Sequence, residues 1–444
     1  MIAGYLGGYA ADLINVDFPK EVIHSTKRCI LDTFAATICG AVHQPAQLMR
    51  EALEEELGHG SSTLIPDGRK APMRTAAMIN GSAAHAMEVD DIFREGVYHP
   101  GPPVISAALA ACQGLGRNGE RFLRAVVAGY EISNRVAAAM QPAHYDFWHT
   151  TGTVGTVGSA AAVSVALGLN RAQSKHALAN SVTMAAALQQ AFATDSMGKP
   201  LHAGHAAEAG MTSAILAGKG MTGADGMFEG ARGFGKAMGR NVDWHALVDS
   251  LETEYTICRM TQKNHTCCGH TFAAIDAVLM LAKAHELSPD DISEITVGTY
   301  AKGVEICGNP DPQTVYQAKF SIAYVISAAL ILGRVRFAAF KENLLHDSKM
   351  RATMAKVRCY VDEEAEAAFP NRRSAIVRIR THANKVFKHH AVTRKGDPDN
   401  PLSDAELEEK FREFSAPVIG DSAVEKLRQA VWSIDVNENL RNIF

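Results

Sequence analysis

Strand-forming patterns are confined to one segment of this chain, and the remainder has the pattern of helices. Between about residues 263 and 395, β-branched residues alternate along a candidate strand at Ile292–Tyr300, and two further candidates follow at 356–361 and 375–381. Upstream of about residue 239, apolar positions recur at helical spacing among many alanines and glycines. This distribution predicts a mainly α fold with a large all-helical domain and a separate, smaller α+β domain.

The C-terminal boundary of the α+β segment is marked by a linker and a helix start. The turn-rich stretch Asp397–Pro401 is followed by Ser403 and, three residues later, Glu406, which form a capping-box pattern. The helices that follow most simply rejoin the first domain. The predicted division is a helical domain from residues 1–262 and 396–444, with an α+β lid domain at 263–395.

Composition excludes several classes of protein. The 444 residues carry a formal net charge of −4, and 47% are hydrophobic, which is ordinary for a globular protein and argues against a nucleic-acid partner. The eight cysteines are scattered, and no signal peptide is recognised, so the sequence predicts a cytoplasmic protein. The longest uncharged stretch, 150–170, is diluted by Thr, Ser and Gly and predicts a buried helix, not a membrane span.

The densest group of ionisable residues lies in the segment 87–110. Glu88, Asp90 and Asp91 lie within four positions, and His99 directly precedes a proline-rich turn. Buried ionisable groups are costly unless they are paired or used, which makes this loop a candidate site of chemistry. A solvated acidic loop with a surface histidine is the open alternative. His85, just upstream, is interpreted as a packed helix end.

Further candidates come from separate segments. Tyr145 and His149 share an aromatic, polar loop, and Lys199 stands beside a proline three residues before His202. Tyr324 lies in an apolar helical pattern. Each segment also has a structural interpretation: an aromatic loop, a helix start with a solvated lysine, and a core tyrosine.

The segment 263–270 is the one that suggests a metal site. It holds two cysteines and two histidines, which are ligand types that zinc uses. The four lie too close in sequence for one tetrahedral site on a regular backbone, so we predict no metal here and a rigid turn instead. The sequence contains no P-loop and no nucleophile elbow.

Several of these motifs together resemble the MmgE/PrpD family, along nearly the whole chain. The acidic loop has the form H-x-M-x-x-D-D and is followed by His-Pro, and the most specific piece is K-P-L-H-A-G at 199–204. The remaining matches are His149-Thr150-Thr151-Gly152, Lys263 with Cys268, Asn371-Arg372-Arg373 before a strand, and Pro401-Leu402-Ser403.

The resemblance implies a helical domain formed from both chain ends, an inserted α+β lid, a homodimer, and an active site in the cleft between the domains without metal or cofactor. It also implies that the cleft residues of the family correspond to six positions of this chain. These are His99, His149, Lys199, Lys263, Cys268 and Tyr324.

Activities in this family include 2-methylcitrate dehydration, cis-aconitate decarboxylation and iminodisuccinate epimerisation. Two departures bear on which one to expect. The family's dehydratases and decarboxylases usually have threonine after the paired aspartates, where this chain has Ile92, and the decarboxylase has histidine where Cys268 stands. We therefore expect an iminodisuccinate-epimerase-like isomerase, with a 2-methylcitrate-dehydratase-type or decarboxylase-type lyase as the alternative. A non-catalytic carboxylate-binding protein on the same fold is the alternative from another class.

The shared step of these reactions is proton transfer at a carbon beside a carboxylate of a small di- or tricarboxylate. It needs a positioned acid or base and cations or donors for the carboxylate. We predict His99, Tyr145, His149 and Lys199 as catalytic residues. The predicted substrate-binding residues are Asp90, Asp91, His202, Lys263, Cys268 and Tyr324.

Overall fold

The computed structural model describes residues 1–194, 196–370 and 372–444, so Asn371 of the C-terminal motif lies outside the described residues. The chain divides into two compact units. The first comprises Met1–Gln262 and Ser403–Phe444, and the second comprises Lys263–Leu402. The sequence places the second boundary at 395/396, and the compact unit continues to Leu402.

The first unit is helical, apart from a two-stranded ladder of β1 (Ser62–Thr63) and β2 (Lys70–Ala71). Its N-terminal part contains α1 (Ile2–Asp12), α2 (Lys20–Gly40), α3 (Gln44–Ala52), α4 (Met73–His85), α5 (Gly101–Leu115), α6 (Gly119–Met140), α7 (Thr150–Leu167), α8 (Arg171–Thr183), α9 (Gly198–Gly218), α10 (Phe234–Met238) and α11 (Trp244–Asp249).

Helix α7 lies at the centre of this unit, against α5, α6, α8 and α9. It is long and apolar enough to cross a membrane by length and composition, but 94% of its span is buried inside the protein. A core helix is enriched in small residues because its neighbours approach it from all sides.

One glycine shows how the small residues position the site. A Cβ atom at Gly204 in α9 would lie 2.3 Å from the Met78 carbonyl oxygen of α4, so only glycine allows α9 and α4 to pack this closely. The glycine of the K-P-L-H-A-G motif therefore allows the N-terminal half of α9 to pack directly against α4.

The second unit is built around a four-stranded sheet, in the order β4-β3-β5-β6. β3 runs parallel to β4 and antiparallel to β5, and β5 pairs antiparallel with β6. The strands are β3 (Ile292–Thr299), β4 (Val357–Val361), β5 (Ala375–Thr381) and β6 (Val386–Ala391). The helices are α12 (Phe272–Ala284), α13 (Ala301–Cys307), α14 (Val315–Lys319), α15 (Ile322–Leu332), α16 (Glu342–Leu345), α17 (Ser348–Met354) and α18 (Glu363–Ala368).

The core of this unit lies between the sheet and helices α12 and α15. Ile295 and Val297 of β3 and Val377 of β5 are fully buried there, which is the alternation that predicts these strands. The sequence does not predict strand β6, because it lies at the sheet edge and its residues 386–391 are mostly exposed or half-buried, which leaves no apolar pattern to detect.

The chain ends in two helices of the first unit, α19 (Asp404–Ile419) and α20 (Asp421–Trp432). The capping box is formed as the sequence indicates, with Ser403 Oγ accepting from the Glu406 backbone and the Glu406 carboxylate accepting from the Ser403 backbone. Helix α19 packs along α2. The prediction of a mainly α fold with an α+β second part is confirmed.

Candidate active site

The acidic loop connects α4 to α5 in the first unit and places Asp90 between two histidines. The Asp90 side chain is fully buried, and its Oδ2 lies 2.7 Å from His85 Nδ1 and 2.9 Å from His99 Nδ1. A carboxylate accepts hydrogen bonds, so the His85 ring donates from Nδ1 to Asp90 and keeps a lone pair on Nε2. Asp90 thus sets the tautomer of His85 and lies within ion-pair distance of His99.

Four histidines form one group, which we call the histidine cluster: His85, His99, His149 and His202. The His85 ring lies 5.0 Å from the ring of His99 and is stacked at 5.4 Å on that of His149. His149 continues the group to His202, with their Nδ1 atoms 3.1 Å apart. His85 and His202 lie in α4 and α9, His149 directly precedes α7, and His99 lies in the acidic loop.

The pKa values of the last two members are depressed. Burial lowers the pKa of His149 well below its ordinary value, and the neighbouring His85 and Lys199 lower it further. Burial, followed by His85, lowers the pKa of His202 to about 4. Both imidazoles are therefore neutral near pH 7 and share one Nδ1 proton, so His202 determines whether His149 presents a base or a proton donor at Nε2.

Lys199 lies in the first turn of α9 and forms an ion pair with Glu88. Burial acts against its charge, but the carboxylates of Glu88 and Asp90 outweigh burial and raise the pKa of Lys199. Its ammonium also lies 5.8 Å from the centre of the Phe192 ring. Lys199 is therefore a cation suited to holding a carboxylate, and it is not a lysine whose pKa is depressed for use as a base.

Tyr145 lies in a short 3-10 turn, Ala143–Asp146, and is 38% exposed. Its effect on the pKa of Lys199 places it in the same neighbourhood. The structure thus brings together the four residues that the sequence proposes as catalytic, His99, Tyr145, His149 and Lys199, with Asp90 and His202 beside them.

Asp91 has a different environment from Asp90. It is fully buried, and its carboxylate accepts from the Tyr130 hydroxyl at 2.7 Å and from the Gly101 backbone N–H at 3.0 Å. Burial, then the charge of Asp32, raise the pKa of Asp91 to about 8. The sequence groups Asp91 with the substrate-binding residues, whereas these contacts lead us to interpret it as a structural residue that fixes the start of α5.

Three of the predicted substrate-binding residues belong to the second unit. Tyr324 is 1% exposed and donates its hydroxyl to the Ala339 carbonyl at 2.6 Å, so we interpret it as a core tyrosine. Lys263 is buried, and Cys268 is half-buried. The Cys268 backbone N–H donates to the Lys319 carbonyl at 2.9 Å.

Sequence reasoning does not assign two residues that the structure places in this group. Glu88 is only part of an acidic run in the sequence, and its φ of +59° holds it in the left-handed region, where a non-glycine residue is strained. His85 has the pattern of a packed helix end, but it is stacked within the histidine cluster. Its spacing from Asp90 within the H-x-M-x-x-D motif is the available signal.

The described residues contain one group with metal-ligand geometry, in which His85, Asp90 and His99 place a ligand atom each within 4.8 Å of one another. In the cysteine-histidine segment 263–270, three of the candidate metal ligands contact other side chains. His265 pairs with Asp276 at 3.0 Å, Cys267 with Thr271 at 3.2 Å, and His270 with Tyr300 at 2.6 Å.

Comparison with known proteins agrees with this architecture. Residues 4–247 match the MmgE/PrpD N-terminal domain, and residues 265–435 match the MmgE/PrpD C-terminal domain. The class defined by the two units is thus the two-domain MmgE/PrpD architecture, and the chain belongs to the MmgE/PrpD family.

Relatives cover nearly the full chain. Human cis-aconitate decarboxylase is 28% identical, over 94% of this chain and 88% of its own length. The cis-aconitate decarboxylase-like protein oryM of Aspergillus oryzae is 24% identical, over 100% of this chain and 96% of its own length. Cis-aconitate decarboxylase of Aspergillus terreus is 24% identical, over 96% of this chain and 92% of its own length. These comparisons support an enzyme of the MmgE/PrpD family.

Proposed function

We propose that this protein is a cofactor-free enzyme that transfers a proton at the carbon beside a carboxylate of a small di- or tricarboxylate. The observation that carries the proposal is the neutral His149 between a cation, Lys199, and His85, which a hydrogen bond to Asp90 orients. A neutral imidazole can accept or return a proton near pH 7, while the ammonium stabilises negative charge on the substrate.

The roles follow from the charges. Lys199 would bind the carboxylate next to the reacting carbon, in competition with Glu88, its present partner. His149 would exchange the proton. His99, whose Nδ1 lies 2.9 Å from Asp90 Oδ2, would supply the second acid–base group, and Tyr145 would donate a hydrogen bond from its hydroxyl.

Among reactions of this kind, we favour a lyase of the decarboxylase type, because the human and Aspergillus terreus relatives are named cis-aconitate decarboxylases. In such a step the bond to the departing carboxylate breaks, carbon dioxide leaves, and the electron pair on carbon takes a proton from an acid–base group of the site, which regains the proton from water. The two sequence departures at Ile92 and Cys268 favour an epimerase of iminodisuccinate, but neither of these relatives supports that activity.

Epimerisation remains the second candidate because Cys268 replaces the histidine expected of a decarboxylase. It requires one group that removes the proton and another that returns it from the opposite face, and His99 and His149 are available as such a pair. A dehydratase would also need an acid for the departing hydroxyl, a role that Tyr145 could fill.

The deciding experiment is a panel of iminodisuccinate, 2-methylcitrate, citrate and cis-aconitate, incubated with the enzyme in deuterated water and followed by proton NMR. The proposal predicts turnover of at least one compound, with solvent deuterium at the carbon beside a carboxylate. Loss of carbon dioxide identifies a decarboxylase, and exchange with inversion identifies an epimerase. Binding without exchange or turnover would indicate a carboxylate-binding protein and would overturn the proposal.

We also propose that the protein is a homodimer, as the resemblance implies. Sedimentation equilibrium of the full chain gives the mass directly. A monomer at micromolar concentration would contradict this part of the proposal.

A further inference from the structure

One end of the sheet in the second unit collects cationic and hydrogen-bonding side chains that have no role in the proposed proton transfer. Strand β3 ends where β5 begins, since Gly298 pairs with Ile376, and β6 ends beside the same point, since Ala391 pairs with Ala375. The residues just beyond these strand ends are Tyr300, Arg373 and Arg394.

Arg394 fixes the geometry of this end. It is 1% exposed, and two of its nitrogens donate to the Asp397 carboxylate at 2.7 and 2.8 Å. Its third nitrogen donates to the Gly269 carbonyl at 2.9 Å. Arg394 is therefore neutralised by Asp397 and used in structure, and it ties the turn before α12, which carries His270, to the end of the sheet.

His270 and Tyr300 form a neutral pair at the same place, with Nδ1 and the hydroxyl 2.6 Å apart. Burial raises the pKa of Tyr300 and lowers the pKa of His270, which the nearby Arg373 lowers further. When the tyrosine donates to Nδ1, the imidazole proton is on Nε2. In the part of the chain that the structure describes, His270 Nε2 has no hydrogen-bond partner.

Arg373, unlike Arg394, has no acidic side chain paired with it among the described residues. It is half-buried, and no hydrogen bond or ion pair joins it to residues of the described ranges 1–194, 196–370 and 372–444. Burial and the neighbouring Arg394 lower the pKa of Arg373. Withdrawing a guanidinium from water beside another cation is costly unless an anion compensates it.

We propose that Arg373 and His270 form a carboxylate-binding site at this end of the sheet. A guanidinium presents two parallel N–H donors that match a carboxylate, and the imidazole Nε2–H supplies a third. The carboxylate belongs either to a polycarboxylate substrate or to a separate effector, and only the first source rests on the proposed function. Cys268 lies close enough to affect the pKa of Arg373, so this site includes the neighbourhood of a residue that we predict to bind substrate.

The test is isothermal titration calorimetry of the full chain with citrate and with succinate. Arg373→Gln should weaken the binding of the tighter probe by about tenfold or more, as loss of a charge-assisted pair does. The matched control is Arg372→Gln, since Arg372 is adjacent and exposed, and its affinity should stay within about twofold of wild type. Wild-type affinity in a folded Arg373→Gln protein, or no saturable binding of either probe to the wild type, would overturn the proposal.

Two further variants complete the test. Arg373→Lys keeps the positive charge but loses the two parallel N–H donors of the guanidinium. If the glutamine variant does not fold, weakened binding by the lysine variant supports the site, and unchanged binding contradicts it. Titration of Lys199→Met separates the two sources. One binding event that both Lys199→Met and Arg373→Gln weaken indicates a substrate carboxylate, and an event that only Arg373→Gln weakens indicates an effector. Neither result depends on turnover, so these binding measurements can still be interpreted if the proposed reaction is not observed.

Discussion

The ammonium of Lys410 in α19 lies 2.6 Å from Asp32 Oδ1 in α2, and both side chains are fully buried. The same ammonium donates to the Val89 carbonyl at 2.7 Å. Val89 stands between Glu88 and Asp90, so a helix from the C-terminal end of the chain holds the acidic loop in place. A buried pair of this kind is costly to break from one side, because the remaining charge is left without compensation.

The first prediction concerns this pair. Lys410→Met should lower the free energy of unfolding by about 3–5 kcal/mol, since it leaves Asp32 buried without its cation. Urea unfolding followed by circular dichroism measures the change. Arg412→Gln is the control in the same helix, because its pair with Glu408 is half exposed and should contribute less than about 1 kcal/mol. Equal stabilities of the two variants would contradict the role of Lys410.

Lys199 provides the second prediction. Because the carboxylates of Glu88 and Asp90 keep it charged, its loss should remove substrate binding more than proton transfer. Lys199→Ala should therefore lower kcat/KM by roughly a hundredfold, mainly through a higher KM. Steady-state kinetics on the substrate identified by the panel separates the two constants. A large fall in kcat at an unchanged KM would show that Lys199 takes part in the chemical step instead.

The third prediction concerns stability against pH. Burial lowers the pKa of His202 and of His144 to about 4, and that of His149 well below its ordinary value. The unfolded chain takes up these protons below about pH 6.5 while the folded chain excludes them. The stabilisation from neutral histidines is thus complete above about pH 6.5, and it is lost as the pH falls towards 4. Asp91, with its pKa raised to about 8, and Asp32, whose pKa burial raises, contribute the opposite slope. Burial also lowers the pKa of His270 and of His389, so the histidines outnumber the two aspartates.

Chemical denaturation at about pH 4.5, 5.5, 6.5 and 7.5, as chosen test conditions, checks this slope. His202→Gln should flatten the dependence below about pH 6.5, and His59→Gln, at an exposed loop position, should leave it unchanged. An unfolding free energy that does not fall between about pH 6.5 and 4.5 would show that His144, His149 and His202 are protonated in the folded protein.

A fourth prediction is that activity survives exhaustive chelation. The group His85, Asp90 and His99 has ligand spacing, but His85 Nδ1 donates to Asp90 Oδ2 at 2.7 Å, and a charge-assisted hydrogen bond of this kind orients the histidine for acid–base work. Dialysis against a strong chelator, followed by activity assay and metal analysis, decides between these roles. Loss of activity that zinc restores would identify a metal enzyme.

Much of the fold could be predicted because its patterns are local. In β3 the buried Ile295 and Val297 alternate with the half-buried Thr296, and the capping box at Ser403 is a four-residue signal. The edge strand β6 has no such pattern. Helix ends are also hard to place where small residues give no contrast, as at the end of α8, which stops at Thr183 although the small-residue pattern continues through Ala185–Ala187.

Less of the candidate site could be predicted from the sequence. His99, His149 and Lys199 could be proposed from unusual residues in small-residue surroundings and from the resemblance. Glu88 could be proposed only as part of the acidic loop, because its left-handed backbone and its pairing with Lys199 depend on contacts far apart in the sequence. The sequence also could not distinguish the environments of Asp90 and Asp91, because the two residues are adjacent in the loop. In the structure Asp90 faces histidines, whereas Asp91 fixes the start of α5.

The central claim is that a neutral His149 transfers the proton, and the most direct test is the kcat of His149→Ala on the substrate found by the panel. The predicted result is a fall in kcat/KM of about a hundredfold or more, carried by kcat, as for loss of a general acid–base group. Circular dichroism should show an unchanged fold. Near-normal turnover by a folded His149→Ala protein would contradict the claim.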